Sequence, residues 1–150
     1  MELILWRHAE AEDGSPDAVR KLTAKGEKQA QKLARWLKER IEKPARILVS
    51  PAMRTQQTAA ALSATFEKNV EVGIGASAER ILRAAGWPDA EGTVIIVGHQ
   101  PTVGQAAAML LTGQEIDWEV KKGAVWWFST SVESGDPVTV LRAMITPKDV

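Results

Sequence analysis

The chain carries two histidines and no cysteine. Without a thiol, a nucleophile or base for chemistry near neutral pH falls to imidazole, and disulfides and thiolate metal sites are excluded. His8 follows Arg7. His99 stands in Gly98-His99-Gln100-Pro101, and Arg54 stands one turn beyond Ser50-Pro51. A neutral imidazole can attack phosphorus, and arginine grips a phosphoryl group through a bidentate fork of N–H donors. A lone histidine at a strand end is usually structural, and a lone arginine on a helix is usually solvated. Convergence of both histidines and two arginines on one sheet edge favours chemistry. The rival for a histidine pair is a metal centre, but arginines beside the pair repel a cation and no third ligand is placed, so no metal is expected.

That convergence depends on the elements that hold the four residues. Residues 3–8, 47–50 and 94–98 are near-continuous apolar runs, as in strands covered on both faces of a parallel sheet. Helical patterns lie between them. Over 24–42, Ala30, Leu33, Ala34, Leu37 and Ile41 form one stripe, Lys28, Lys32, Arg35 and Lys38 lie opposite, and Thr23 is the expected N-cap without a capping box. Helices are also expected over 52–66, with Ala59, Leu62 and Phe66 inward, over 77–85, ended near Gly86 and Pro88, and over 102–111. The tail predicts strands 124–130 and 138–145, a hairpin with its turn at 133–137. Trp126 and Trp127, adjacent on a strand, must point to opposite faces.

This order predicts an α/β fold: a three-layer α/β/α domain with a mixed, mainly parallel central sheet, spanning 1–150 as a single domain. Ligands of open α/β sheets sit beyond the carboxyl ends of the strands. Arg7-His8, Ser50-Pro51 and Gly98-His99 all stand there. Pro51 and Pro101 suit the first helical position, with Ser50 and Gln100 as caps, so each helix start would offer free amides to an anion. A cationic pocket for a phosphoryl group is the expectation.

These residues resemble a known family. Arg7-His8, then Ser50-Pro51-Ala52-Met53-Arg54-Thr55-Gln56-Gln57-Thr58, then Gly98-His99-Gln100-Pro101 look like the histidine phosphatase superfamily, which includes acid phosphatases and cofactor-dependent phosphoglycerate mutases. Leu22-Thr23-Ala24-Lys25-Gly26-Glu27-Lys28-Gln29-Ala30 is similar to its first-helix signature. The resemblance spans residues 1 to about 111. The short length and Val19-Arg20-Lys21-Leu22-Thr23 are most similar to the SixA-type phosphohistidine phosphatases. The resemblance implies a phosphoglycerate mutase-like fold, His8 as the residue that takes the phosphoryl group, Arg7, Arg54 and His99 as the clamp, and Arg20 as a further phosphate contact. It implies no cofactor. The family's usual Arg-His-Gly is Arg7-His8-Ala9 here.

For in-line attack, the other His8 ring nitrogen should donate to a fixed acceptor, most simply a backbone carbonyl. An alkoxide leaving group calls for a general acid. Glu79, Glu10 and Glu12 are candidates, and no motif licenses any of them. Imidazole leaves far more readily, so the lack of an evident acid favours phosphohistidine on a protein, such as a histidine-phosphotransfer domain. So do the short connections, which leave no long segment for a lid. Two alternatives stay open: a small-molecule phosphomonoesterase or mutase, and a non-catalytic phosphate-binding module.

Charge sharpens the picture. Lys plus Arg balance Asp plus Glu at 19 each, so the net charge is zero and a general nucleic-acid binder is not expected. Residues 20–46, however, hold ten basic residues against three acids. The apolar runs are too short for a membrane span, and Glu2 stands where a signal peptide would be basic, so a cytoplasmic protein is expected, and a monomer.

Overall fold

The computed structural model describes residues 1–42, 44–133 and 135–150. The elements run β1 (Glu2–Arg7), α1 (Ala24–Lys38), β2 (Ala45–Val49), α2 (Met53–Ala60), β3 (Glu67–Lys68), α3 (Ala78–Ala85), β4 (Thr93–Gly98), α4 (Thr102–Thr112), β5 (Val125–Glu133) and β6 (Asp136–Ile145). Single 3-10 turns lie at Asp17–Val19, Val70–Val72 and Pro147–Asp149. The strands form one sheet in the order β3-β2-β4-β1-β5-β6. β1, β2, β3 and β4 pair in parallel, and β5 and β6 are antiparallel. The expected mixed, mainly parallel sheet is therefore present, and its antiparallel part is the expected terminal hairpin. Of that hairpin's turn at 133–137, Ser134 lies outside the described residues.

Strand alternation splits the core into two layers. Leu3, Leu5, Leu48, Val94 and Ile96 pack with Ile81 and Ala85 of α3 and Val103, Ala106 and Ala107 of α4. Ile4, Trp6, Ile47, Val49, Ile95 and Val97 pack on the other face with Leu33, Ala34 and Leu37 of α1 and Ala59. Helices on both faces explain the continuous apolar runs, since every residue of β4 is buried. Trp126 packs in the first layer and Trp127 in the second, as adjacent strand residues must.

The register brings the site together. Arg7 pairs with Gly98, and Val49 with Val97. The His8 amide continues the ladder to the Gly98 carbonyl at 3.1 Å, and the Ser50 amide to the Val97 carbonyl at 3.1 Å. His8, Ser50 and His99 thus leave three neighbouring strands side by side.

Several boundaries differ from expectation. α1 stops at Lys38, not 42, because Arg40 and Ile41 both donate to the Leu37 carbonyl and wind the chain into a closing turn. α2 ends at Ala60, not 66, and the freed chain lays the unexpected strand β3 beside Leu48 and Val49. Neither proline opens a helix. α2 begins two residues beyond Pro51, after Ala52, and Pro101 is itself the residue preceding α4. Gln100 still caps α4, but through its side chain, whose Oε1 accepts from the Gly104 amide at 2.7 Å. Thr23 caps α1 as expected, its Oγ1 accepting from the Gly26 amide at 2.9 Å. No helix among the described residues is long and apolar enough to cross a membrane.

Candidate active site

His8 is the first residue past β1 and is 9% exposed. Its Nδ1–H donates to the Ala9 carbonyl at 2.7 Å. That bond fixes the tautomer and leaves the Nε2 lone pair free. Burial, helped by the charges of Arg54, Arg7 and Arg20 and opposed by the Ala9 bond, pushes the His8 pKa down to about 4. At neutral pH the ring is uncharged, as a nucleophile requires. The acceptor that the sequence leaves unnamed is thus the carbonyl of the next residue. Ala9 itself is fully buried beside Leu22 and Ala30, and its amide donates to Thr58 Oγ1 at 3.1 Å. Its methyl fills a small apolar cluster, so alanine serves where the family pattern has glycine.

His99 leaves β4 with its ring centroid 5.4 Å from that of His8, tilted by 58°. Its Nε2 lies 2.7 Å from Ser50 Oγ. Ser50 is fully buried, the Ala52 amide at 3.3 Å can only donate to its Oγ, and among the described residues His99 Nε2 is the one acceptor in reach of its hydroxyl proton, which therefore goes there. Nδ1 then carries the ring hydrogen. Burial first, then the charges of His8 and Arg54, lower the His99 pKa to about 3, with Asp17 opposing. His99 is a neutral donor through Nδ1–H.

The two clamp arginines are held in similar ways. Arg7 donates from Nη1 to the Val120 carbonyl at 2.8 Å. Burial lowers its pKa, opposed by Glu119, and a guanidinium stays charged regardless. Arg54, the second residue of α2 with a side chain 5% exposed, donates from Nη1 to the Asp17 carbonyl at 2.8 Å and from Nη2 to Asp17 Oδ2 at 3.1 Å. Arg20 donates from Nε to Asp17 Oδ1 at 2.8 Å and from Nη1 to the Glu12 carbonyl at 3.0 Å. Arg20 first, and then Arg54, hold the Asp17 carboxyl below the usual carboxylate range.

Among the described residues, three buried side-chain nitrogens have no hydrogen-bond partner: Arg7 Nε, Arg54 Nε and His99 Nδ1. They come from three elements and from three of the four residues expected around a phosphoryl group. A buried donor left unpaired costs about 1–3 kcal/mol, so native interiors pair nearly all of them. Arg7 and Arg54 lie close enough to His8 to lower its pKa, and the His99 ring stands 5.4 Å from it, so these unpaired groups surround one histidine in a region suited to an acceptor-rich anion. Among the described residues no cluster of three His, Cys, Asp or Glu groups could hold a metal ion.

The loop from Ala9 to Thr23 carries no regular pattern, and α2 holds it at three points. Thr58 takes the Ala9 amide, Gln57 Oε1 takes the Leu22 amide at 2.7 Å, and Arg54 takes Asp17. The loop from Asp117 to Ala124 supports Arg7. Besides Val120, its Trp118 carbonyl accepts from Gln100 Nε2 at 2.8 Å, and its Gly123 amide donates to the His8 carbonyl at 3.0 Å. Sequence reasoning misses Asp17, Ser50 as a partner of His99, and this second loop. The acid three residues before Arg20 is the one visible signal.

The candidate acids do not join the group. Glu79 is 75% exposed on α3 and pairs with Arg83. Glu10 Oε2 accepts from Thr23 Oγ1 at the start of α1. Glu12 contributes its backbone carbonyl to Arg20, while its side chain is exposed. A pocket of about 420 Å³ beside the site includes Arg7 with Lys121, Lys122 and Lys148, but not His8, Arg54 or His99.

The model of the histidine phosphatase superfamily (branch 1) matches residues 3–75, a span that contains Arg7, His8, Arg20 and Arg54. The phosphohistidine phosphatase SixA homolog of Haemophilus influenzae is 34% identical over 126 residues, covering 73% of this chain and 77% of that protein. Phosphohistidine phosphatase SixA of Escherichia coli is 28% identical over 127 residues, covering 76% of each. The structure of the protein histidine phosphatase SixA complexed with tungstate superposes with a TM-score of 0.75 at 25% identity, covering 99% of this chain and 98% of that one.

Proposed function

The chain belongs to the histidine phosphatase superfamily, and on that premise we propose that it removes phosphoryl groups from phosphohistidine on a protein, through a covalent intermediate on His8. The observation that carries the reading is the set of three unpaired buried donors beside a neutral histidine whose Nε2 is free.

In this mechanism the phosphoryl oxygens accept from Arg7 Nε–H, Arg54 Nε–H and His99 Nδ1–H. His8 Nε2 attacks phosphorus opposite the leaving nitrogen: the Nε2–P bond forms as the substrate's P–N bond breaks, and the electron pair stays with the departing imidazole, which leaves neutral because its other ring nitrogen carries a proton. As the ring of His8 gains positive character, its Nδ1–H bond to the Ala9 carbonyl strengthens. Water then attacks phosphorus, restoring free His8 and releasing phosphate. The arginines stabilise charge on the equatorial oxygens in both steps without reorganising.

The carboxyl hydrogen-bonded to the clamp is Asp17, which Arg20 and Arg54 hold ionised and so unsuited to giving up a proton; this supports a P–N substrate, because imidazole leaves with less proton assistance than an alkoxide. The two named SixA relatives support the same class. The natural partner in this reading is a phosphorylated histidine-phosphotransfer domain met in the cytoplasm by a monomeric phosphatase. The test compares turnover of such a domain with turnover of sugar phosphates and nucleotides, for wild type and His8→Ala. Preference for the phosphoprotein, lost in His8→Ala, is expected. Preference for a small phosphate ester would move the assignment to a phosphomonoesterase or mutase. A wild type that binds phosphate and turns over nothing would make it a binding module.

A further inference from the structure

Arg54 and Arg20 share an anion that belongs to the protein itself. Asp17 sits in the 3-10 turn between β1 and α1, and all three of its oxygens are engaged: Oδ1 by Arg20 Nε, and Oδ2 and the backbone carbonyl by the two terminal nitrogens of Arg54. The Arg54 side chain is 5% exposed and that of Asp17 53%, so an acid on a surface loop reaches in to a guanidinium packed in the interior.

Such a carboxylate can stand in for the substrate's oxygens, or it can hold the arginine for them. The nitrogens in use decide between the two. A guanidinium offers an oxyanion two forks, one of Nε–H with the neighbouring terminal N–H and one of both terminal nitrogens; the unpaired Nε–H marks the first as the one open to the phosphoryl group. An acid that merely filled the phosphoryl position would take Nε–H. Asp17 instead takes both terminal nitrogens and leaves Nε–H buried and unpaired. Arg7 shows the same arrangement with a different holder: Nη1 on the Val120 carbonyl and Nε unpaired. Both clamp arginines are thus tied at the guanidinium end and present Nε. For Arg7 the tie is main chain; for Arg54 it is Asp17, braced by Arg20.

We infer that Asp17 is a positioning residue for the phosphoryl clamp, its carboxylate and carbonyl holding the Arg54 guanidinium so that Nε–H faces the transferring group. What Nε–H grips rests on the functional reading above; that Asp17 orients it is a separate claim. In the free protein Arg20 acts through Asp17, since two of its nitrogens are committed to Asp17 and the Glu12 carbonyl.

The test is a double-variant cycle on the full chain with Asp17→Asn, Arg54→Lys and the pair, read by tungstate affinity and by kcat and KM on an aryl phosphate. Lysine has no guanidinium fork, so Asp17 has nothing to orient in that background. Asp17→Asn is expected to weaken tungstate binding and to lower kcat/KM roughly 10- to 100-fold, the scale of misplacing a clamp group by about an ångström. In the Arg54→Lys background the same change should cost less than about 3-fold, the mark of effects that travel through a shared partner. Unchanged or tighter tungstate binding in Asp17→Asn overturns the inference, because a carboxylate competing for the anion position gives that result. Equal losses in both backgrounds overturn it too. Asp17→Glu, which keeps the charge on a longer arm, takes the place of Asp17→Asn in the cycle if the asparagine variant does not fold, with the same pattern expected. A wild type that binds tungstate but hydrolyses nothing contradicts the enzymatic reading alone and leaves the tungstate cycle to judge Asp17.

Discussion

Arg7 owes its position to a loop, and the loop rests on a glycine. Gly104 is the third residue of α4, and a Cβ added there would lie 1.8 Å from the Trp118 carbonyl oxygen and 2.9 Å from its carbon. Ordinary carbon–oxygen contact is about 3.3 Å, so in Gly104→Ala the helix and loop must part by roughly 1.5 Å. The Trp118 carbonyl accepts from Gln100 Nε2, and two residues on, the Val120 carbonyl holds Arg7 Nη1. Overpacking of this kind costs about 1–3 kcal/mol, and loss of the Gln100 bond adds about 1 kcal/mol. At 2–4 °C per kcal/mol for a chain of this size, Tm should fall by roughly 4–16 °C. Displacing Arg7 by even an ångström should lower kcat/KM by about 100-fold. The assay pairs tryptophan-fluorescence melting with aryl phosphate kinetics well below the variant's Tm. A variant that melts as wild type refutes the packing argument. One that is destabilised but turns over normally refutes the claim that this loop posts Arg7.

Two further outcomes follow from the histidines. Ser50→Ala removes the hydroxyl that keeps the proton of His99 on Nδ1; kcat/KM should fall roughly 5- to 30-fold, the equivalent of one buried hydrogen bond, Tm should fall by roughly 2–12 °C because buried His99 Nε2 loses its partner, and an unchanged rate contradicts the tautomer assignment. Both histidines titrate lower in the fold than their ordinary 6.5, at about 4 for His8 and about 3 for His99. Between pH 6.5 and those values the unfolded chain therefore binds more protons than the folded one, and stability must drop as the pH falls through that window. Denaturant unfolding from pH 8 to 4 checks the sign, and His8→Ala with His99→Ala should flatten the slope; a slope as steep without either histidine would assign it elsewhere.

How far the site could be read in advance depended on what each residue answers to. β1, β2 and β4 are buried on both faces, so their apolar runs announce them, and residues at their ends, His8, Ser50 and His99, are placed by strand register alone. Arg54 follows one turn later on a helix. Asp17 was not legible in this way, because the loop from Ala9 to Thr23 has neither helical nor strand period; its shape comes from long-range bonds to Thr58, Gln57 and Arg54. Pro51 and Pro101 misled about the helix starts for a related reason. Proline tolerates the first helical turn but does not compel it, and the chain uses the residues before each helix to seat Ser50 against His99 and Gln100 against Gly104. β3 is two residues long and polar, Glu67 and Lys68, so nothing in its own pattern reveals a strand. It exists because α2 ends early and the chain passes the open edge of β2.

In the proposed mechanism His8 carries the phosphoryl group. Rapid mixing with a phosphorylated histidine-phosphotransfer domain, a quench in alkaline denaturant that preserves phosphohistidine, and peptide mass mapping measure it directly. A transient phosphoryl group is expected on the His8 peptide, formed and lost at rates compatible with turnover and absent in His8→Ala. Steady turnover with His8 unmodified throughout, or a His8→Ala protein as active as wild type, would contradict it.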